Sequence, residues 1–283
     1  MNAATGQDGG AEAIAADFVH ACAAELTALK PGNVHVFAPG HRMTVDDFTR
    51  SAEVAAPHIA AGGARVGERV LRAVTATLDA VGQNTNLGII LLCAPIARAA
   101  EAARAPGGGV IAELRHCLDE LDVEDADKVF RAIALANPGG LGTSGRNDVR
   151  EPARVPLGEA MAEAAERDRI ARQYVTGFAD VIDIGLPCLQ GLPGEPDPAA
   201  VTRLYLTFLS AFPDSHIMRK FGAVVAADVQ SEAAIALSRL DRPESRDELL
   251  RLDARWKQRG INPGTSADLT VAALFLSGVM HSR

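Results

Sequence analysis

The chain is poor in aromatic residues, poor in cysteine and without a surplus of positive charge, and each shortage argues against a class of function. Aromatics make up 4% of its 283 residues, too few for the platforms on which single-strand nucleic-acid binders stack bases. Lysine and arginine number 28 against 36 acidic residues, a net charge of -8. No basic run stands out, so a phosphate-tracking nucleic-acid surface is not expected. Cys22, Cys93, Cys117 and Cys188 are scattered, with neither a CxxC pair nor a Cys–His cluster. They read as small, reduced core residues rather than a disulfide framework or a zinc site. No uninterrupted apolar stretch of about 18 residues occurs, so no membrane span is expected. Residues 1–10 are polar and glycine-containing, with no basic region leading into an apolar one. They read as a short disordered lead and not as a signal peptide, and the chain as cytoplasmic.

What is present is a helical period. Ile14, Phe18, Cys22, Leu26 and Leu29 mark one apolar face, and Val66, Val70, Val74, Leu78 and Val81 another. Leu87, Leu91, Ala94 and Arg98 continue it, with Pro95 expected to kink or open that helix. Ile170, Tyr174, Phe178, Val181 and Gly185 form a seam, as do Val201, Leu204, Phe208 and Phe212. Start signals agree: Thr44, Ser245 and Thr265 are each followed three residues later by an acid, the capping-box spacing. Alternating β-branched runs are missing. The expectation is an all-α fold, a single multi-helix array over 11–283. The stretch 186–198, rich in glycine and proline, is the best linker but does not divide domains.

Four polar islands interrupt the helices with residue types that bind phosphate. Pro31-Gly32 ends the first helix and delivers Lys30, Asn33 and His35 on an exposed turn, with His41 following. An ammonium and two imidazoles can neutralise a phosphate, although a helix C-terminus with a dipole-complementing lysine explains the same residues. Asn84, Thr85 and Asn86 precede a helix whose N-terminus is a natural phosphate seat, and either of the first two can be its cap. Four glycines fall within seven residues at 139–145; they permit close backbone approach to a ligand but do not make a Walker A loop. Asp214-Ser215-His216, with Arg219-Lys220 beyond, and Ser266-Ala267-Asp268 supply carboxylates that can cap helices, bind magnesium or act as bases.

Taken in order, Lys30-Pro31-Gly32-Asn33-Val34-His35, Phe48 with Ser51-Ala52, Asn84-Thr85-Asn86-Leu87-Gly88, Asp214-Ser215-His216 and Pro263-Gly264-Thr265-Ser266-Ala267-Asp268-Leu269 resemble the triphosphoribosyl-dephospho-CoA synthase family. The likeness runs from about Ala15 to Val279. It implies an all-helical enzyme that uses ATP and 3′-dephospho-CoA to make a prosthetic-group precursor, releasing adenine. Two features depart from the decarboxylase-associated members. Asn86-Leu87 stands where they carry His-Lys, and Asn137-Pro138-Gly139-Gly140-Leu141-Gly142 is similar to the branch of archaea and methylotrophic bacteria. That branch is associated with one-carbon metabolism.

The resemblance implies glycosyl transfer through an oxocarbenium-like transition state. Small-molecule nucleotides are then the partners, with ATP as substrate and Mg2+ as cofactor, and there is room for a homo-oligomer. Lys30, Asn33, His35, His41, His216, Arg219, Lys220 and Ser266 are assigned to phosphate or substrate. Asn84, Thr85 and Asn86 are assigned to phosphate or ribose. Glu25 and Asp268 are candidates for magnesium or base, and Asp214 is a third catalytic carboxylate. Lys30, Asn84, Asp214 and Asp268 should converge in space. Two alternatives stand beside this reading: a transferase acting on a methanopterin- or methanofuran-type cofactor precursor, and a non-catalytic nucleotide-binding helical protein in cofactor assembly.

Overall fold

The computed structural model describes residues 5–38, 40, 43–105, 107–138, 147–191 and 197–282. Over these the chain forms α1 (Thr5–Thr27), α2 (Val45–Ile59), α3 (Val66–Val81), α4 (Leu87–Ala102), α5 (Val110–Asp119), α6 (Val123–Ala136), α7 (Leu157–Ala164) and α8 (Arg169–Thr176). A π-helical turn (Asp180–Gly185) leads into α9 (Leu186–Leu189), α10 (Pro198–Ala211), α11 (Ser215–Phe221), α12 (Ala223–Ser238), α13 (Ser245–Gln258) and α14 (Gly264–His281). Among the described residues there is no strand, only the isolated bridges His35–Ala38 and Gly40–Met43, as the helical period requires.

Helices α4 and α14 are apolar on nearly every face and therefore run through the middle of the array. α4 buries Ile89 through Ala97, and α14 buries Leu269 through Leu276. The helix does not break at Pro95. Proline supplies no N–H to the carbonyl four residues back, and that carbonyl, Leu91 O, instead accepts the Tyr174 hydroxyl at 2.6 Å. One apolar cluster gathers α1–α8 around α4 and α14. A second joins α10, α12 and α13 around Trp256. α10 serves both, with Leu204 and Phe208 facing the first and Tyr205 and Leu209 the second.

Several local expectations are corrected. α1 begins at Thr5, so part of the polar lead expected over 1–10 is helical; the Arg104 guanidinium donates to Gly10 O at 3.1 Å and ties that turn down. The seam from Ile170 to Gly185 is buried as expected, but it is not one helix. Gly177 and Phe178 both adopt positive φ, 65° and 63°, and the chain restarts as the π-helical turn. Asp180 there accepts two bonds from Arg169, each 2.7 Å. Thr44 forms the expected capping box with Asp47. Ser245 and Thr265 do not cap α13 and α14, which start one and two residues earlier than their acids imply; the Thr265 hydroxyl instead accepts His216 N–H of α11 at 3.2 Å.

Candidate active site

The C-terminal end of α1 and the N-terminal ends of α4, α8, α11 and α14 meet around a cavity of about 700 Å³, to whose lining α6 and α7 also contribute. Of the residues singled out in the sequence, Glu25, Asn33, Asn84, Thr85, His216, Arg219 and Asp268 line it. The asparagine turn and the α14 turn therefore share one face of the array, although the chain separates them widely. Asn84 Oδ1 accepts the free Leu87 N–H at 3.1 Å and caps α4. The Thr85 hydroxyl lies 2.6 Å from that of Ser51 on α2.

Asp268 is the carboxylate with the least protein support. Among the described residues it makes no hydrogen bond and no ion pair, and it faces the cavity. Burial pushes its carboxyl well above the usual range, reinforced by the negative charges of Asp214 and Glu25. It sits against the start of α4 because Gly88 has no side chain: a Cβ there would run into Asp268 Oδ2. Gly264 plays the same part for His216, whose Nδ1 would lie 2.7 Å from an added Cβ. Glu25 is buried and pairs through Oε1 with Lys30. Burial pushes the Glu25 carboxyl up and the Lys30 ammonium down, and their mutual attraction opposes both shifts.

Other expected residues are nearby but turned away. Lys30 and His35 do not stand on an exposed turn; both are fully buried. Lys30 Nζ, besides its bond to Glu25, donates to Asn33 Oδ1 at 3.0 Å and Val34 O at 2.8 Å. An ammonium in the interior needs such a complete shell, so this lysine organises the turn instead of reaching a ligand. His35 points to α13, its Nε2 lying 3.3 Å from Asp253 Oδ1. Asp253 also accepts Gly32 N–H at 2.8 Å, which pulls the whole turn onto α13.

Asp214 does not line the cavity. Its Oδ1 accepts His216 and Ile217 N–H at 2.9 and 3.2 Å; its Oδ2 accepts Ser266 N–H and hydroxyl, each at 2.8 Å. Burial pushes its carboxyl up while these four donors favour the ionised form. One carboxylate thus satisfies the exposed amides of two helix starts, α11 and α14, and Ser266 is consumed in the same arrangement. Asn86 is buried, with its amide 3.4 Å from Ser51 O. Lys220 lies over the Phe221 ring at 5.2 Å, outside the cavity lining. His41 and the glycines at 139–145 fall outside the described residues.

The sequence reading passed over Glu163, Arg167 and Asp168 and gave no role to Asp148 and Asn262, although both fall in its polar islands; all five line the cavity. Asp168 carries the most weight. Its Oδ1 caps α8 through Ile170 N–H at 2.9 Å, and its Oδ2 holds Arg219 at 2.5 Å. An aspartate directly before an apolar seam was a visible cap signal; its second role depends on a helix 51 positions away. Asn262 accepts the Asn33 amide at 2.8 Å, closing the rim between α1 and α14.

The wall carries five carboxylates, from Glu25, Asp148, Glu163, Asp168 and Asp268, against the guanidinium groups of Arg167 and Arg219 and the His216 ring. Among the described residues no group of three or more His, Cys, Asp or Glu is placed to hold a metal ion. No helix is long and apolar enough to cross a membrane. A helical scaffold that gathers helix ends around one polar-and-apolar cavity defines a small-molecule enzyme site rather than a macromolecular interface. The family described as CitG, ATP:dephospho-CoA triphosphoribosyl transferase, matches residues 11–283. A crystal structure of a proposed triphosphoribosyl-dephospho-CoA synthase from Archaeoglobus fulgidus is similar, with TM-score 0.65 and 31% identity, over 82% of this chain and 99% of that one. No curated protein matches. The chain belongs to the ATP:dephospho-CoA triphosphoribosyl transferase family, and it is a transferase of that kind.

Proposed function

We propose that this cavity joins the triphosphoribosyl group of ATP to 3′-dephospho-CoA with release of adenine. The observation that carries the reading is the Asp268 carboxylate, without a hydrogen bond or ion pair among the described residues, in the wall of a nucleotide-sized cavity. The acceptor's ribose hydroxyl oxygen bonds to C1′ of the ATP ribose as the C1′–N bond to adenine breaks. Asp268 accepts the hydroxyl proton at the oxygen that forms the new bond. Its raised proton affinity makes it a stronger base than an ordinary aspartate. The departing base takes up a proton at the ring nitrogen that it frees, and His216 stands on the same wall as its source. Arg219 and Arg167 are the cations available to the triphosphate, and Arg219 arrives oriented by Asp168.

Magnesium fits the residues present. Glu25 faces the cavity with its second oxygen unengaged among the described residues, and an acidic wall with few cations would otherwise repel a triphosphate. With no cluster of three ligands, Glu25 would hold the ion beside Asp268, with the substrate's phosphate oxygens supplying much of the coordination, the usual arrangement for this ion. When bound, magnesium supplies charge neutralisation to the triphosphate.

The test is incubation of the purified protein with magnesium, ATP and dephospho-CoA, with adenine and the triphosphoribosyl product separated by chromatography. Stoichiometric adenine is the expected result; ATP binding without adenine release would favour a non-catalytic role in cofactor assembly. A second acceptor is supported by Leu87. It lines the cavity where decarboxylase-associated members carry lysine, so a less anionic acceptor, such as a pterin- or furan-type precursor, belongs in the same assay.

A further inference from the structure

The cavity lining includes a cluster of apolar side chains beside its charged ones. Its charged groups come from α1, α8, α11 and α14, from Glu163 on α7 and from Asp148 and Arg167 to either side of α7, whereas α6 contributes Phe130 and Ile133, α7 also Ala160 and Met161, and α4 Leu91. Phe130 and Ile133 lie one turn apart on a single stripe of α6, and that stripe ends at Asn137, also in the lining. Phe130 is 4% exposed, yet it belongs to neither apolar cluster and stacks on no other ring among the described residues. It is spent on the cavity wall. Ala160, also in the lining, is small and half-buried, which leaves room beside a thioether and a ring. Asn137 holds the left-handed conformation, φ 41°, and its side-chain amide has no partner among the described residues, leaving one donor and one acceptor at the end of the stripe.

We propose that the α6–α7 side of the cavity is a slot for the adenine ring of ATP, with Phe130 and Met161 against its faces and the Asn137 amide at its edge. The inference rests on the transferase reading given above. The physical case is a match of polarity along the ligand. ATP is charged at one end, the triphosphate, and carries a neutral flat ring at the other; the cavity offers both kinds of surface, the Arg219 guanidinium from α11 and the apolar Phe130, Ile133 and Met161 from α6 and α7. Dephospho-CoA has a different pattern, with its diphosphate in the middle, between adenosine and an extended arm. An aromatic face is sequence-tolerant toward bases, and the amide edge is what reads one purine from another. Phe48 is the competing aromatic, because it also lines the cavity, but it stands beside the polar Asn84 and Thr85.

The two ends of ATP can be tested separately by calorimetry, using adenine and inorganic tripolyphosphate with magnesium as probes. Phe130→Ala and Ala160→Phe should each weaken adenine binding by about tenfold or more, while tripolyphosphate binding stays as in the parent protein. Phe48→Ala should leave adenine binding unchanged. Ala160→Phe fills the slot from a half-buried position, so it decides the matter if Phe130→Ala does not fold. In turnover, the KM for ATP should rise in both slot variants and that for dephospho-CoA should not. Adenine binding that survives both variants, adenine that does not bind the parent protein, loss on Phe48→Ala instead, or a KM effect confined to dephospho-CoA would each overturn the assignment. If adenine binds in the slot but the protein releases none from ATP with dephospho-CoA, the slot stands and the reaction does not.

Discussion

Asp268 lies in a place that a structural carboxylate would not occupy. Among the described residues it has no hydrogen-bond donor and no ion pair, and burial, reinforced by two other carboxylates, raises its proton affinity. Asp268→Asn should therefore abolish adenine release while leaving the thermal midpoint unchanged or about 2 °C higher, since a carboxyl whose ionisation is opposed by its surroundings has been replaced by a neutral amide. A clear drop in the midpoint would instead return Asp268 to a structural role. Gly88 gives an independent check without touching an ionisable group. In Gly88→Ala the new Cβ displaces the carboxylate, so turnover should fall about a hundredfold, with the far-UV spectrum and midpoint little changed. His35 makes a prediction in pH. Burial holds its imidazole below the ordinary 6.5, and a second proton would go to Nδ1, which is buried with no partner. The folded-state value is depressed, so the neutral ring's stabilising contribution is complete above pH 6.5 and is lost as the pH falls toward the folded value. Urea midpoints should decline from pH 7.5 to 5.5, and His35→Asn should flatten that decline.

At the scale of elements, the site is made by fastening helix ends to one another. Asp214 ties α11, which carries His216 and Arg219, to α14, which carries Asp268. Asp168 ties α8 to α11, and Asn33 with Asn262 ties the turn after α1 to the start of α14. Pro95 requires a related device inside a helix. Tyr174 answers the carbonyl that the proline leaves open, and Tyr174→Phe should leave it buried and unsatisfied. The expected cost is about 1–3 kcal/mol, read as a lower urea midpoint. If the variant is as stable as the parent protein, the hydroxyl is not what supports α4 at that point.

At the scale of the whole molecule, α10 and α14 contribute to both apolar clusters, so neither cluster can lose its packing without disturbing the other. Near-UV and far-UV signals should follow one urea transition, and two separated transitions would show that the clusters unfold independently. The all-α architecture and most helix seams were legible because helical period is a local property: Phe18 and Leu26 repeat on one face whatever they finally touch. The exceptions are also local in cause. The seam through Phe178 continues across a backbone that leaves the helix at Gly177, and side-chain spacing does not register that break. The polar residues were a different matter. Their types pointed to a phosphate site, and Asn84, Arg219 and Asp268 do meet in one cavity. Which way each side chain leaves its turn was decided by partners far along the chain. Asp253 draws the turn that bears His35 onto α13, and Ser266 and His216 close around Asp214. Glu25 keeps Lys30 inside although only five positions separate them, because the interior around that pair is assembled from distant helices. The sequence alone determined that this protein would be helical and would interrupt its helices with phosphate-binding residue types, since propensity and period act over a few residues. Only the tertiary structure decided which of those residues face a ligand and which hold the helix ends together, because a buried charge must go where its partners are.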